Sequence, residues 1–261
     1  MSKDKKVAIV TGSATGLGAA AALMLAQKGW NVVINYTKSL AEAQESEAAC
    51  RKAGAETLLA QGDVAEDADC KSIVAATMKK WGRIDGLINN AGVSKFNNHA
   101  NLDGVNKDDF IRIYSVNVIG AYQMTRACAP HMKQQGNGSV VNISSIAGVM
   151  GIGSSVPYAA SKGALNTMTL SLARALGPEI RVNAVCPGFI QSRWLLTGLG
   201  EETYNNLKKS QEATTPLRHA GTPEDMAEVA VWLLEGARNV TGEVVMVDAG
   251  AHLSGAPLKA R

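Results

Sequence analysis

The stretch Val7-Ala8-Ile9-Val10-Thr11-Gly12-Ser13-Ala14-Thr15-Gly16-Leu17-Gly18 decides the fold. Four consecutive apolar residues suit a short strand covered on both faces. The run is too short for the apolar segment of a secretory signal, although the basic start Lys3 to Lys6 could mimic one. Glycines at 12, 16 and 18 let the backbone turn sharply and approach a pyrophosphate closely. The alanine-rich helix behind them offers unpaired N–H groups and the positive end of its dipole. An ordinary glycine-rich turn has the same composition, but a strand before it and a helix after it favour a nucleotide-binding turn.

Outward from this turn, short apolar runs alternate with longer helical patterns. The runs are Val7–Val10, Val32–Asn35, Thr57–Gln61, Gly86–Asn89, Gly138–Ile143, Arg181–Val185 and Glu243–Val247. This rhythm predicts an α/β fold, a doubly wound parallel sheet of about seven strands with helices on both faces. No repeat, low-complexity tract or linker interrupts it, so residues 1–261 are read as one domain. Residues 191–221 depart from the rhythm. They mix Trp194, Leu195, Leu196 and Leu199 with charges and read as an excursion off the sheet.

Composition narrows the function. The chain is 46% hydrophobic, which supports a sizeable core. A net charge of +3, with no run of like charge, gives no footprint for nucleic acid. No stretch reaches transmembrane length, so no membrane association is expected. Cys50, Cys70, Cys128 and Cys186 contain no C-x-x-C pair, so no metal is expected and a reducing, cytoplasmic location fits.

The turn Thr11-Gly12-x-x-x-Gly16-x-Gly18 resembles the coenzyme loop of the classical short-chain dehydrogenases/reductases. Gly62-Asp63-Val64, Asn89-Asn90-Ala91-Gly92, Asn117, Ser145, Tyr158-x-x-x-Lys162 and Pro187-Gly188 follow in that family's order and spacing. The resemblance runs from about Val7 to Gly250 and is nearest to the 3-oxoacyl-acyl-carrier-protein reductase branch. It implies a Rossmann fold and a nicotinamide coenzyme held by Gly12, Ser13, Thr15, Gly16, Leu17 and Gly18. Asp63 and Val64 are then expected at the adenine. Asn90, Ala91 and Gly92 belong beside the coenzyme, and Pro187, Gly188, Ile190 and Ser192 at the nicotinamide.

The second strand ends Asn35-Tyr36-Thr37-Lys38-Ser39, where an acid would hold the ribose 2′-hydroxyl of NAD. Tyr36 takes that place. Thr37, Lys38 and Ser39 offer hydroxyls and a cation to a 2′-phosphate. Arginine is missing after the strand and a basic residue is missing from the turn, where Thr37 and Thr15 stand. The reading is NADP(H) preferred, with NAD(H) possible and Lys38 otherwise a solvated lysine.

Tyr158 and Lys162 are four residues apart and share a helix face. Pro157 suits the helix start, with Ser154 or Ser155 as the cap. A phenol titrates near 10, so proton exchange near neutrality asks for a lowering of roughly 3 units, about 4 kcal/mol. The Lys162 ammonium and the helix terminus are the expected sources. By the resemblance, Ser145 orients the substrate oxygen, Tyr158 is general acid and base, Lys162 also binds the ribose, and Asn117 holds a water leading to Lys162. Ser144 reads as a packing or turn serine.

Substrate walls are expected from residues 94–100, 149–156 and the excursion, with Val149, Ile152, Trp194 and Leu195 foremost and Phe96, Met150, Leu196 and Tyr204 beside them. The same residues could form a packed lid or a subunit contact. His99 reads as a polar loop residue. The segments 132–138 and 174–179 lack the basic positions with which the resembled branch grips its acidic carrier protein, which leaves a small carbonyl or alcohol as the expected partner. Ala159, Ala160, Gly163, Ala164 and Ala173 allow close helix approach, and the resemblance implies that this helix pairs across subunits, so a homotetramer is expected with a dimer as second choice. Alternatives are an NAD(P)-binding regulator without turnover, or an NAD(H)-dependent alcohol, steroid or sugar dehydrogenase. The tail Ala251–Arg261 is longer than the fold requires.

Overall fold

Each of the seven apolar runs forms a strand in the computed structural model, which describes residues 5–253. They are β1 (Val7–Val10), β2 (Asn31–Tyr36), β3 (Thr57–Gln61), β4 (Gly86–Asn89), β5 (Gly138–Ile143), β6 (Ile180–Pro187) and β7 (Val244–Val247). The sheet is parallel throughout, in the order β3-β2-β1-β4-β5-β6-β7. Residues of β1, β4 and β5 are buried at every position, which is what a strand with helices on both faces requires. β6 runs beyond its apolar stretch because Ile180 pairs with Gly138, and Pro187 pairs with Val247.

The helices divide between two layers. Those of one layer are α1 (Gly16–Gln27), α2 (Leu40–Lys52) and α10 (Pro223–Glu235), packed over Val10, Ile34 and Ile88. The other layer has α3 (Asp67–Trp81), α5 (Ala121–Gln135) and α7 (Val156–Leu176), and buries Ile9, Leu87 and Val140. Between them in sequence lie α4 (Lys107–Tyr114) and the four-residue α6 (Ala147–Met150). Strand order reverses between β1 and β4, so a crevice opens at their carboxyl ends, the usual ligand position in such sheets.

The excursion leaves the sheet at Ile190 and returns at Gly221, where the two residues form a parallel bridge. Gln191 tightens this neck through Gly221 O and Ala220 O, both at 2.8 Å. It holds α8 (Arg193–Leu199) and α9 (Glu201–Thr214), neither of which has a buried residue. No described helix is long and apolar enough to cross a membrane. The tail past Leu253 lies outside the described residues.

Candidate active site

The glycine turn is held by a buried polar interlock. The Thr11 hydroxyl accepts from the backbone N–H groups of Asn90 and Ala91, each at 3.0 Å. Asn90 returns both amide hydrogens to Thr11 O and Gly12 O at 2.9 Å. Gly12, at φ +59°, donates its N–H to Asn35 Oδ1 at 3.0 Å. Asn35 was not among the expected site residues; its signal was a polar residue near the end of an otherwise apolar strand.

Ser13 requires correction as a coenzyme contact. It is 0% exposed, its hydroxyl donates to Val10 O at 2.7 Å, and its N–H donates to Asn35 O at 2.9 Å. Ser13 builds the turn from beneath and does not face the crevice. Leu17 likewise sends its side chain into the core, leaving only its backbone for the crevice. Thr15 caps α1 by position without a side-chain bond and is exposed together with Gly16. A Cβ at Gly18 would come within 2.5 Å of Asn90 Nδ2 and 2.7 Å of Gly12 O, whereas one at Gly16 would meet nothing within 4 Å. The turn is closed behind and open in front, and the residues present fit a dinucleotide diphosphate.

At the far end of β2, Tyr36 is partly buried, while Thr37, Lys38 and Ser39 are exposed. The middle of α2 lies against the turn, since Ser46 Oγ donates to Ala14 O at 2.9 Å. One turn earlier, Glu42 pairs at 3.0 Å with Arg193 of the excursion. The Asp63 carboxylate accepts from Ala65 N–H and pairs with Arg112 at 3.3 Å, and Val64 is buried against Gly120.

Ser145, Tyr158, Lys162 and Asn117 meet at the carboxyl ends of β4 to β6. Ser145 lies two residues past β5, and its hydroxyl accepts from Ala147 N–H at 3.1 Å. Tyr158 stands in the first turn of α7, and Lys162 Nζ lies 5.6 Å from its ring centroid. Lys162 is 3% exposed and donates to Ile143 O at 2.8 Å. Gly92 joins the set: a Cβ there would lie 3.5 Å from Asn117 Oδ1 and 3.7 Å from Lys162 Nζ. Ser144 donates to Lys162 O at 3.1 Å and is a packing serine.

The electrostatics reverse the expected balance. Burial pushes the Tyr158 phenol up to about 12, and the nearby Ser145 hydroxyl only partly opposes this. Burial also pushes the Lys162 ammonium down to about 8. The amine's bonded partner is a neutral carbonyl, so loss of solvent outweighs what charge and helix dipole supply. The expected cap on α7 is corrected as well. Ser155 occupies the position, but its buried hydroxyl has no partner, while Ser154 bonds to Ser94 at 2.6 Å.

Asn117 lies in a single π-turn, Ser115–Gly120, between α4 and α5. Its side chain is spent: Oδ1 accepts from Val93 N–H at 2.8 Å, and Nδ2 donates to Val93 O and Ser161 Oγ, both at 3.0 Å. A π-turn shifts the backbone ladder by one residue, a distortion common at functional sites.

At the other end of the crevice, Pro187 closes β6 and Gly188 follows, packed on Asp248. Ile190 sits in the neck of the excursion, and Ser192 caps α8 by accepting from Leu195 N–H at 3.3 Å. Of the expected substrate wall, Trp194 packs beside Tyr158 with ring centroids 6.0 Å apart, and Phe96 lies 5.3 Å from Trp194. Val149 on α6 and Ile152 just past it are exposed between Ser145 and Tyr158 in sequence, and Leu195 is partly buried. Tyr204 faces Phe189 instead, at 5.6 Å. His99 bonds Gly153 O at 3.2 Å. Part of the small face of α7 is used within the chain, where Gly163 packs against Gly148 of α6.

Residues 12–252 match the family model described as Enoyl-(Acyl carrier protein) reductase. The chain is 42% identical to a Streptomyces violaceoruber protein assigned as ketoacyl reductase 2 of the granaticin polyketide synthase, over 96% of this chain and 97% of that one. It is 34% identical to a 3-oxoacyl-[acyl-carrier-protein] reductase of Thermotoga maritima, over 96% and 99%. Among solved structures, a Burkholderia xenovorans protein assigned to the short-chain dehydrogenases/reductases superposes with a TM-score of 0.89 at 43% identity, over 96% and 99% of the two chains.

Proposed function

The chain belongs to the short-chain dehydrogenase/reductase family of oxidoreductases, and on that footing we propose an NADP(H)-dependent reductase acting on a ketone or secondary alcohol, with Tyr158 as general acid and base. The observation that carries this reading is the convergence of Ser145, Tyr158 and Lys162 beside a glycine turn open only toward the crevice. Bound nicotinamide supplies or takes the hydride. The backbone at Gly12, Thr15, Gly16, Leu17 and Gly18 would hold the diphosphate. Asp63 and Val64 would meet the adenine, Asn90, Ala91 and Gly92 the inner ribose, and Pro187, Gly188, Ile190 and Ser192 the carboxamide end.

NADP(H) is favoured because Tyr36 to Ser39 present hydroxyls and an ammonium, and because Glu42, the next acid, is already paired with Arg193. Ser145 holds the substrate oxygen. Tyr158 donates its proton in reduction; a phenol pushed up to about 12 is protonated at neutral pH and suits that direction. Lys162, near 8, can resupply the proton. With the Asn117 side chain committed, its main-chain carbonyl is the group left to hold a water leading to Lys162. We also assign a single domain and a homotetramer, with a dimer as second choice, built on the exposed Ile111, Ile119, Tyr122 and Leu170 of α4 to α7.

A panel of ketones and alcohols assayed with NADPH and NADH tests the reading. Tyr158→Phe is expected to bind NADPH as the parent does and to lose about 10²- to 10⁴-fold in turnover. Comparable turnover by the variant removes Tyr158 from its role. Tighter use of NADH than of NADPH overturns the coenzyme assignment. Binding of NADPH with no substrate oxidised or reduced would mark a regulator that has kept the fold.

A further inference from the structure

We propose that the substrate is a neutral ketone borne on a flat ring system, received against an aromatic wall formed by Trp194 and Phe96. This rests on the hydride-transfer reading above and names its substrate class. Trp194 projects from the first turn of α8 over the Tyr158 ring, at a centroid distance of 6.0 Å and an interplanar angle of 42°. Phe96 backs it at 5.3 Å and 54°. These separations lie in the range where rings attract through offset or edge-to-face contact. Phe96 is itself wedged against α8, since a Cβ on Gly198 would fall 2.0 Å from its ring. Even so backed, Trp194 keeps 43% of its surface exposed, next to the phenol that carries the proton.

The surroundings are apolar and leave few other attachments. Val149 and Ile152, between Ser145 and Tyr158 in sequence, and Leu196, two residues past Trp194, are 51%, 45% and 38% exposed. Most polar side chains of the neighbouring loop already have partners within the protein, Asn98 at its exposed tip keeping a side-chain amide for solvent. Ser94 bonds Ser154, Lys95 pairs with Asp109, Asn97 donates to the carbonyls of Asn98 and Asn101, and His99 bonds Gly153 O. A sugar entering here would strip water from hydroxyls that find no new partner, a loss for each one. A carboxylate or phosphate would meet no free cation in this loop. A ketone needs one polar contact, and Ser145 with Tyr158 provides it. The rest of the molecule is then selected by its fit to an indole face, which rewards a planar ring more than a flexible chain of equal size.

The test compares β-tetralone with its open-chain counterpart of equal carbon count, methyl octyl ketone, under saturating NADPH and, in parallel, NADH; L-rhamnose and the two product alcohols are offered with NADP+ and NAD+, since they must give up a hydride. The parent enzyme is expected to show kcat/KM about tenfold or more higher for β-tetralone than for methyl octyl ketone, and no measurable use of the sugar. Trp194→Ala is expected to cut this ring preference about tenfold, mainly through KM, and Trp194→Phe to restore most of it. Equal or better use of the open-chain ketone by the parent overturns the proposal, as does a ring preference that survives Trp194→Ala. If either ketone is turned over in a Tyr158-dependent way, the hydride-transfer reading stands whatever the ring preference. If neither ketone nor their alcohols react with either coenzyme, both readings fall together.

Discussion

The glycine turn and the lid formed by α8 and α9 both depend on glycine, yet they are opposite kinds of construction. In the turn, Thr11, Ser13, Asn35 and Asn90 are tied to backbone groups from three strands, and Ser13 and Asn35 are buried almost completely. No residue of α8 or α9 is buried; among the described residues these two helices are joined to the body by the Ile190–Gly221 neck, by ring contacts and by the Arg193–Glu42 ion pair. The coenzyme end has a single shape that its polar network overdetermines. The substrate end has a surface whose shape depends on a few side chains that could be exchanged without touching the core. On the function proposed above, chemistry that must not vary is placed in the first and selectivity in the second.

The same substitution made in both regions is the sharpest way to break this contrast. Gly18→Ala would force a methyl to within 2.5 Å of Asn90 Nδ2, 2.7 Å of Gly12 O and 2.9 Å of Ser13 Cα, two of them backbone atoms that cannot rotate away. The expected cost is about 1–3 kcal/mol in stability, and coenzyme affinity should fall about ten- to a hundredfold as the turn opens. Gly198→Ala meets only the Phe96 ring, at 2.0 Å from Cε2 and 2.2 Å from Cζ, so a side chain rather than backbone must swing aside. Alanine is also better than glycine inside a helix by about 1 kcal/mol. Melting temperature should stay within about 2 °C, with only a few-fold change in substrate KM. Thermal melts and coenzyme titration of the two variants decide the matter, and equal losses in both would show that the lid is as rigid as the turn.

The contrast also explains which parts could be read in advance. Strands covered on both faces leave continuous apolar runs, so all seven were visible and only their ends moved, as at Ile180 and Pro187. The site residues with fixed spacing, such as Tyr158 and Lys162, were visible because one helix carries both. Properties that arise from contacts between distant segments were not. Asn117 is spent on Val93 and Ser161, 24 and 44 residues away, and nothing local to Asn117 announces this. Ser13 was assigned by its place in the motif, yet its bonds to Val10 and Asn35 turn it inward. The phenol of Tyr158 was expected to fall and rises, because spacing shows which groups are neighbours but not how much water they lose.

That loss of water provides a second, smaller break. Lys162 belongs to the fixed region, and burial takes its ammonium from an ordinary 10.5 down to about 8. A depressed lysine loses its charge as pH rises through the folded value, so the protonated form prevails below 8 and disappears above it. The phenol, up at about 12, keeps its proton throughout this window. If the ammonium resupplies Tyr158, kcat/KM for reduction should be level below pH 8 and fall about tenfold per unit well above it. A profile of kcat/KM from pH 6 to 10, measured with coenzyme saturating, checks the limb. A flat profile to pH 10 would remove Lys162 from the proton path and leave it a positioning residue.

The smallest expected effect concerns an ion pair that ties the regions together, Arg193 to Glu42, 151 residues apart in sequence and 3.0 Å apart in space. Arg193 begins α8 directly after Ser192, and Glu42 sits one turn before Ser46, whose hydroxyl holds Ala14 of the glycine turn. The pair therefore crosses from the lid to the rim of the turn. Arg193 is well exposed and Glu42 only partly covered, so the contact is screened by salt and contributes little. Arg193→Ala should accordingly speed coenzyme release by no more than about fivefold, and the parent should approach the variant as ionic strength rises. Stopped-flow release of NADPH at low and high salt measures both. A hundredfold acceleration, or one that salt does not erase, would mean that the lid is fastened to the coenzyme end far more firmly than its exposed helices imply, and the division between a fixed end and an adaptable one would have to be redrawn.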